Sequence, residues 1–281
     1  MNPPARSYLY VPGDEGGKIG KALAGEADAV VLDLEDAVAP NRKEEARATV
    51  ARVLEAEPGK PVFVRVNGVD TDLAAADIAA VAAGHLAGLR LPKVESVEEV
   101  RLVAETLEEL RSGATIQCLI ESALGLERVF EIATSHERVS ATSLGEADLC
   151  ADLGVADEAG LLYARSRVVA ASRAAGLNRP VASVYTEVGD PEGLRRSTET
   201  AKRIGFFGRS TVHPSQVSVV NEVFTPQEHE IAEAQDLLDR LEDETAGGTG
   251  AFMLDDGRFV DRAVVESAHL TLSLANRDAA P

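Results

Sequence analysis

Residues 30–38 of this 281-residue chain read VVLDLEDAV. Six of the nine are apolar, and the three acids, Asp33, Glu35 and Asp36, fall toward the far end. The apolar part lacks the alternation of a half-exposed strand, which is the pattern of a parallel strand covered on both faces. The acids then stand where that strand leaves the core. A bare cluster of carboxylates beside a core is costly unless bases or a cation sit among them.

Similar runs recur along the chain at 7–12, 61–66, 88–94, 114–121, 138–145, 180–185 and 205–212, with the strand just described extending over 28–34. Helical patterns lie between them. In 97–110, Val97, Val100, Val103, Leu107 and Leu110 share one helical face, and Ser96 with Glu99 forms a capping-box pattern before it. Residues 158–175 are rich in Ala and Arg and also read as helix. Strand alternating with helix eight times predicts a parallel sheet, and eight such units in this length suit a closed (β/α)8 TIM barrel. An open doubly wound sheet is the structural rival. Beyond the eighth unit, 226–244 reads as a charged amphipathic helix. TAGGTGAF (245–252) then supplies a glycine joint, and 251–275 reads as a short strand or turn and a last helix. The expected division is a barrel over 1–225 and an appendage over 226–281.

The bulk numbers narrow the function. A net charge of −19 argues against nucleic acid and anionic membrane as partners. Two cysteines among 281 residues make no disulfide framework, and the first residues lack the apolar core of a signal peptide. A cytoplasmic protein is expected.

Polar residues gather at the C-terminal ends of the expected strands, where barrel enzymes carry their chemistry. Asp33, Glu35 and Asp36 close the second strand, Arg65 and Asn67 the third, Lys93 the fourth and Glu121 the fifth. Glu146 and Asp148 follow the sixth, and His213 the eighth. Glu121 and Asp148 offer two hard oxygen ligands with no Cys or His cluster, which favours Mg²⁺ over Zn²⁺. The alternative is that Glu121 caps the following helix and Asp148 pairs with a lysine. Arg65 is placed to hold a substrate carboxylate or a developing oxyanion, or else to neutralise Glu35 or Asp36. Lys93 reads as an ion-pair partner, and His213 as a loop-orienting hydrogen-bonding residue.

Several stretches taken in order resemble a known family: RSYLYVPG, ADAVVLDLEDAV, KEEAR from Lys43 to Arg47, VRVN, LPKVES, LIESALGL, LGEADL, GFFGRSTVHPSQ and FTPQEHEIAEA. The chain resembles the citrate lyase β-subunit-like proteins of the HpcH/HpaI aldolase superfamily, with its malyl-CoA and citramalyl-CoA lyase branch. The resemblance runs from Arg6 to about Leu274. It implies a (β/α)8 barrel with a C-terminal helical lid, assembled as a homotrimer or hexamer. It also implies Mg²⁺ on Glu121 and Asp148, and substrate contacts from Arg65 and from the Gly145, Glu146 and Ala147 segment. Glu35 and Asp36 would orient the cations and metal waters, and Arg6, Lys18 and Lys21 would meet the anionic end of coenzyme A. The lid segment would bring Asp261 into a neighbouring subunit's site as proton donor or base, with Asp255 and Asp256 as competitors for that place. The implied reaction is reversible cleavage of a β-hydroxyacyl-CoA, such as malyl-CoA or citramalyl-CoA, to an acyl-CoA and a 2-oxoacid. The rival expectations are a citrate lyase β subunit acting on an acyl-carrier-protein thioester, an aldolase acting on free hydroxy-oxo acids, and a non-catalytic 2-oxoacid-binding or complex-forming subunit.

Overall fold

The computed structural model describes residues 4–245, 252–253, 259–260 and 262–278. By its contacts the chain divides into two compact units, 4–222 and 223–281.

The larger unit is an α/β fold on one all-parallel sheet. Its strands are β1 (Ser7–Pro12), β2 (Ala29–Asp33), β3 (Val62–Arg65), β4 (Gly88–Leu91), β5 (Thr115–Ile120), β6 (Val139–Leu144) and β7 (Arg209–Thr211). The spatial order is β6-β5-β4-β3-β2-β1-β7. Every residue of β2 and β4 is buried, as the unbroken apolar runs require of strands covered on both faces. Helices connect successive strands. One of them, Val97–Glu109, opens with the expected box: Ser96 Oγ accepts from the Glu99 amide while the Glu99 side chain accepts from the Ser96 amide.

The sheet is curled. Arg90 on β4 donates to Tyr10 Oη on β1 at 3.1 Å and to Ser210 Oγ on β7 at 3.0 Å. In a flat sheet β4 and β7, four places apart, would be separated by about 19 Å. The strand expected over 180–185 is not formed. That segment makes one parallel bridge, Ala182 to Arg209, and Ser183 Oγ donates to Leu144 O at 2.5 Å. Pro180 begins it without an N–H to give to a ladder. The run expected over 205–212 shrinks to Arg209–Thr211 because Gly205 (φ +116°) ends the preceding helix and Gly208 (φ +81°) turns the chain before the strand starts.

The smaller unit contains the helix Glu228–Thr245, where 226–244 was expected, and the helix Arg262–Asp278. Ala234, Leu237 and Ala268 pack together with Leu238, Val265 and Leu272. Between these helices β8 (Phe252–Met253) pairs antiparallel with β9 (Phe259–Val260). The glycine joint at 247–250 and Asp255, Asp256 and Asp261 lie outside the described residues. Among the described residues, no helix is long and apolar enough to cross a membrane.

Candidate active site

The acids of VVLDLEDAV are answered by Arg65. From the end of β3 its Nε donates to Asp33 Oδ1 at 2.7 Å and its Nη2 to Asp33 Oδ2 at 2.5 Å, a bidentate pair. Nη1 lies 2.9 Å from Glu35 Oε2 and 3.7 Å from Asp36 Oδ2. Asp33, rather than Glu35 or Asp36, is thus the principal partner. Burial alone would push the Arg65 guanidinium down, but the bonds and charge of Asp33 outweigh it and hold the group above its ordinary value. Tyr10 lies beneath, with the guanidinium carbon 5.3 Å from its ring centroid. Lys93 Nζ donates to Glu35 Oε1 at 3.2 Å, and the Glu35 charge raises the ammonium's pKa. That is the expected ion pair. A protonated lysine is also a poor Schiff-base nucleophile.

The loop bearing Glu35 is anchored from behind. Lys43 Nζ, itself buried, donates to Leu34 O and Glu35 O, each at 2.6 Å, and to Asn67 Oδ1 at 2.8 Å. Asn67 Nδ2 donates to the fully buried Asp77 at 2.6 Å, and Arg47 pairs with Asp77 at 2.9 Å. The Lys43 and Arg47 of the KEEAR motif, one helical turn apart, are therefore framework groups.

Glu121 follows β5 and is 6% exposed. Burial, and then the negative charges of Glu35 and Asp148, push its carboxyl up to about 8, while Arg65 and Lys93 oppose them less strongly. Its Oε2 accepts from the Lys93 amide at 3.2 Å, which Lys93 presents from a left-handed backbone (φ +54°). Glu121 does not cap the following helix. Ser122 does so, accepting from the Gly125 amide, and Asp152 accepts from the Ala123 amide. Asp148 likewise pairs with no lysine, and its carboxylate makes no hydrogen bond or ion pair to a described residue.

Asp148 lies in the first turn of the helix Glu146–Leu153, which starts at the end of β6 without a side-chain cap. Its leading amides therefore remain available to an anion. Glu146, the acid that would spoil such a site, is neutralised by Arg165, whose Nε and Nη2 each reach its carboxylate at 2.7 Å. Gly145 leaves room for the Glu121 carboxylate, since a Cβ there would sit 2.2 Å from Glu121 Oε1 and displace it.

A cavity of about 900 Å³ unites these groups. Asp33, Asp36, Arg65, Glu121, Gly145, Glu146, Ala147 and Asp148 line it, together with Tyr10 and Arg165, which the sequence reading did not single out. Arg165 was hidden in a stretch read only as helix. Tyr10 had an available signal, the inward alternation of YLYVP on the first strand. Three expected contacts lie elsewhere. Arg6 stands at the start of β1, the end remote from the acids, and pairs with Asp28 at 3.0 Å, so its place is structural. Lys18 and Lys21 are exposed on the helix Gly16–Ala24, and Lys18 lies 3.5 Å from Glu15. His213 does orient its loop: Ser215 donates its amide to His213 Nδ1 at 3.2 Å, and Gln216 Oε1 accepts from the His213 amide at 3.3 Å. Both cysteines are free, and burial pushes the Cys118 thiol up to about 12, which leaves it inert.

The model of the HpcH/HpaI aldolase/citrate lyase family matches residues 6–214. The chain belongs to that family. It is 34% identical over 283 residues to the citrate lyase subunit beta of Leuconostoc mesenteroides, covering 96% of this chain and 93% of that one. It is 35% identical over 282 residues to a (3S)-malyl-CoA thioesterase of Cereibacter sphaeroides, covering 99% and 96%. Among solved structures it is similar to the protein CitE of Mycobacterium tuberculosis in complex with magnesium, acetoacetate and coenzyme A. The TM-score is 0.77, with 29% identity and 98% of each chain covered.

Proposed function

We propose that this protein is a Mg²⁺-dependent carbon–carbon lyase that cleaves a β-hydroxyacyl-CoA thioester to an acyl-CoA and a 2-oxoacid. The observation that carries the proposal is the pair Glu121 and Asp148. One is a buried carboxylate pushed up to about 8 by burial and by its acidic neighbours, and the other is a carboxylate with no partner among the described residues. Both face the same cavity. Hard oxygen donors short of positive charge are what a divalent cation fits. Held there, Mg²⁺ would supply Lewis-acid polarisation of a substrate hydroxyl and its neighbouring carboxylate.

The chain's own groups supply the rest. The free amides of Glu146, Ala147 and Asp148 bind the carboxylate of the 2-oxoacid portion. Asp33 and Glu35 engage at most three of the five N–H donors of Arg65. The remaining donors meet the enolate oxygen that develops on the departing acyl-CoA, and the rigid bidentate pair fixes them there in advance. Asp261, brought by the C-terminal unit of a neighbouring subunit in a homotrimer or hexamer, delivers the proton to the enolate carbon and removes it in the condensing direction. In this account the chain is a (β/α)8 barrel in which 180–185 completes the wall, supported by its bridge to Arg209 on one side and the Ser183 bond to Leu144 on the other. Residues 226–281 form the lid. The related CitE is solved with magnesium and coenzyme A, which supports the cofactor and the carrier.

The 35% identity to a malyl-CoA thioesterase favours one second activity, hydrolysis of the thioester bond. Product analysis separates the two. Malyl-CoA, citramalyl-CoA and citryl-CoA are each incubated with Mg²⁺ or with a chelator. A lyase releases 2-oxoacid and acyl-CoA in equal amounts and only with Mg²⁺. Free CoA thiol without 2-oxoacid would make the protein a thioesterase.

A further inference from the structure

Beside Arg65, at its register partner on β4, is a second buried guanidinium that the chemistry above does not use. Arg90 is 1% exposed and has no carboxylate within ion-pairing distance among the described residues. Its Nε donates to Gln117 Oε1 at 2.8 Å. Its Nη1 donates to Tyr10 Oη at 3.1 Å and Ser210 Oγ at 3.0 Å, and its Nη2 is buried without a hydrogen-bond partner. The rings of Tyr8 and Tyr10 cover it at 4.7 and 5.4 Å.

A guanidinium has donors and no acceptor, so both hydroxyls must accept from it, and each keeps its own proton. No described residue accepts either proton. Tyr10 and Ser210 both line the cavity. They sit within β1 and β7, whereas Glu121 and Asp148 follow the ends of β5 and β6. The rim is thus acidic and the floor presents two O–H donors backed by a cation without a counter-ion.

We propose that Tyr10 and Ser210, backed by Arg90, form a carboxylate subsite at the cavity floor. The substrate is then a thioester whose 2-oxoacid fragment carries a second carboxylate. This rests on the lyase function proposed above and names its substrate class. The bulky thioester carrier must leave through the cavity mouth. The end of the substrate turned to the floor is therefore the 2-oxoacid substituent. A hydrogen or methyl there would leave two hydroxyl donors and a buried cation unanswered, and a site built to hydrogen-bond discriminates strongly against a ligand that lacks the acceptor.

The test is titration of the full-length protein, with Mg²⁺ present, by freshly dissolved oxaloacetate and by pyruvate. The same titrations are made on Tyr10→Phe, which keeps the ring under Arg65, and on Ser210→Ala. The wild type is expected to prefer oxaloacetate by at least about tenfold, and each variant to cut that preference by roughly tenfold. Equal binding of the two acids by the wild type, or a preference that survives both substitutions, overturns the subsite and leaves the lyase function standing. If neither acid binds and no thioester is cleaved, the lyase function falls and the subsite with it.

Discussion

Glu121 concentrates the problem this site solves. Its ordinary pKa is 4.5 and its folded value about 8, so the folded protein without metal holds the proton far more tightly than the unfolded chain. The stability linked to this group is therefore fully present below pH 4.5 and is lost as pH rises through 8. Urea denaturation in chelator from about pH 5 to about pH 9 should show the wild type losing stability relative to Glu121→Gln, which keeps an acceptor for the Lys93 amide. Parallel curves would mean that the carboxyl is not perturbed. Gly145 gives a second residue-scale expectation. Gly145→Ala puts a methyl 2.2 Å from Glu121 Oε1 and displaces that carboxylate. Divalent-ion affinity should drop by about tenfold or more while circular dichroism stays native. Unchanged affinity would show that Glu121 is no ligand. At this scale the sequence was informative about residue types at strand ends, because acids and bases emerging from apolar runs have few cheap resting places. It did not rank the pairings. That Asp33 rather than Glu35 is the main partner of Arg65 depends on side-chain reach across β2 and β3, and the same is true of the Arg165–Glu146 pair.

At the scale of elements, strands buried on both faces were legible because an unbroken apolar run has few other uses, and β1 through β6 lie within the expected runs. The capping box at Ser96 was legible for a similar reason, since it is entirely local. The 180–185 segment pairs by backbone with 207–210 on one side and lacks a ladder to β6 on the other, which apolar content does not reveal. Pro180 removes one donor, and a side-chain bond from Ser183 to Leu144 stands where backbone pairing was expected. That bond is a specific element-scale claim. Ser183→Ala should cost about 1 kcal/mol in urea denaturation. No measurable loss would show that the bond does not hold this seam.

For the whole molecule, the net charge and the make-up of the cavity belong together. In a chain of net charge −19 the cavity itself is lined by more acids than bases, with Arg65 and Arg165 standing among Asp33, Asp36, Glu121, Glu146 and Asp148, so an anionic thioester is drawn in by a divalent ion together with those two arginines. The largest claim at this scale is that the active site is shared between subunits. It was legible only through family resemblance, because no periodicity or spacing says which subunit's cavity a terminal segment enters. Arg65→Ala and Asp261→Ala should each be inactive alone. Denatured together and refolded, they should recover up to about a quarter of wild-type activity, because mixed assemblies combine an intact barrel from one variant with an intact C-terminal segment from the other. No recovery, with the mixed assembly shown to form, would place both residues in one chain.

Beneath all of these expectations lies a divalent ion held by Glu121 and Asp148. Mn²⁺ titration followed by electron paramagnetic resonance measures that directly. A single tight site per chain is expected, emptied by excess Mg²⁺, lost in Glu121→Ala and in Asp148→Ala, and kept in Asp261→Ala. Mn²⁺ that binds as well to Glu121→Ala as to the wild type, or that does not bind at all, would contradict it.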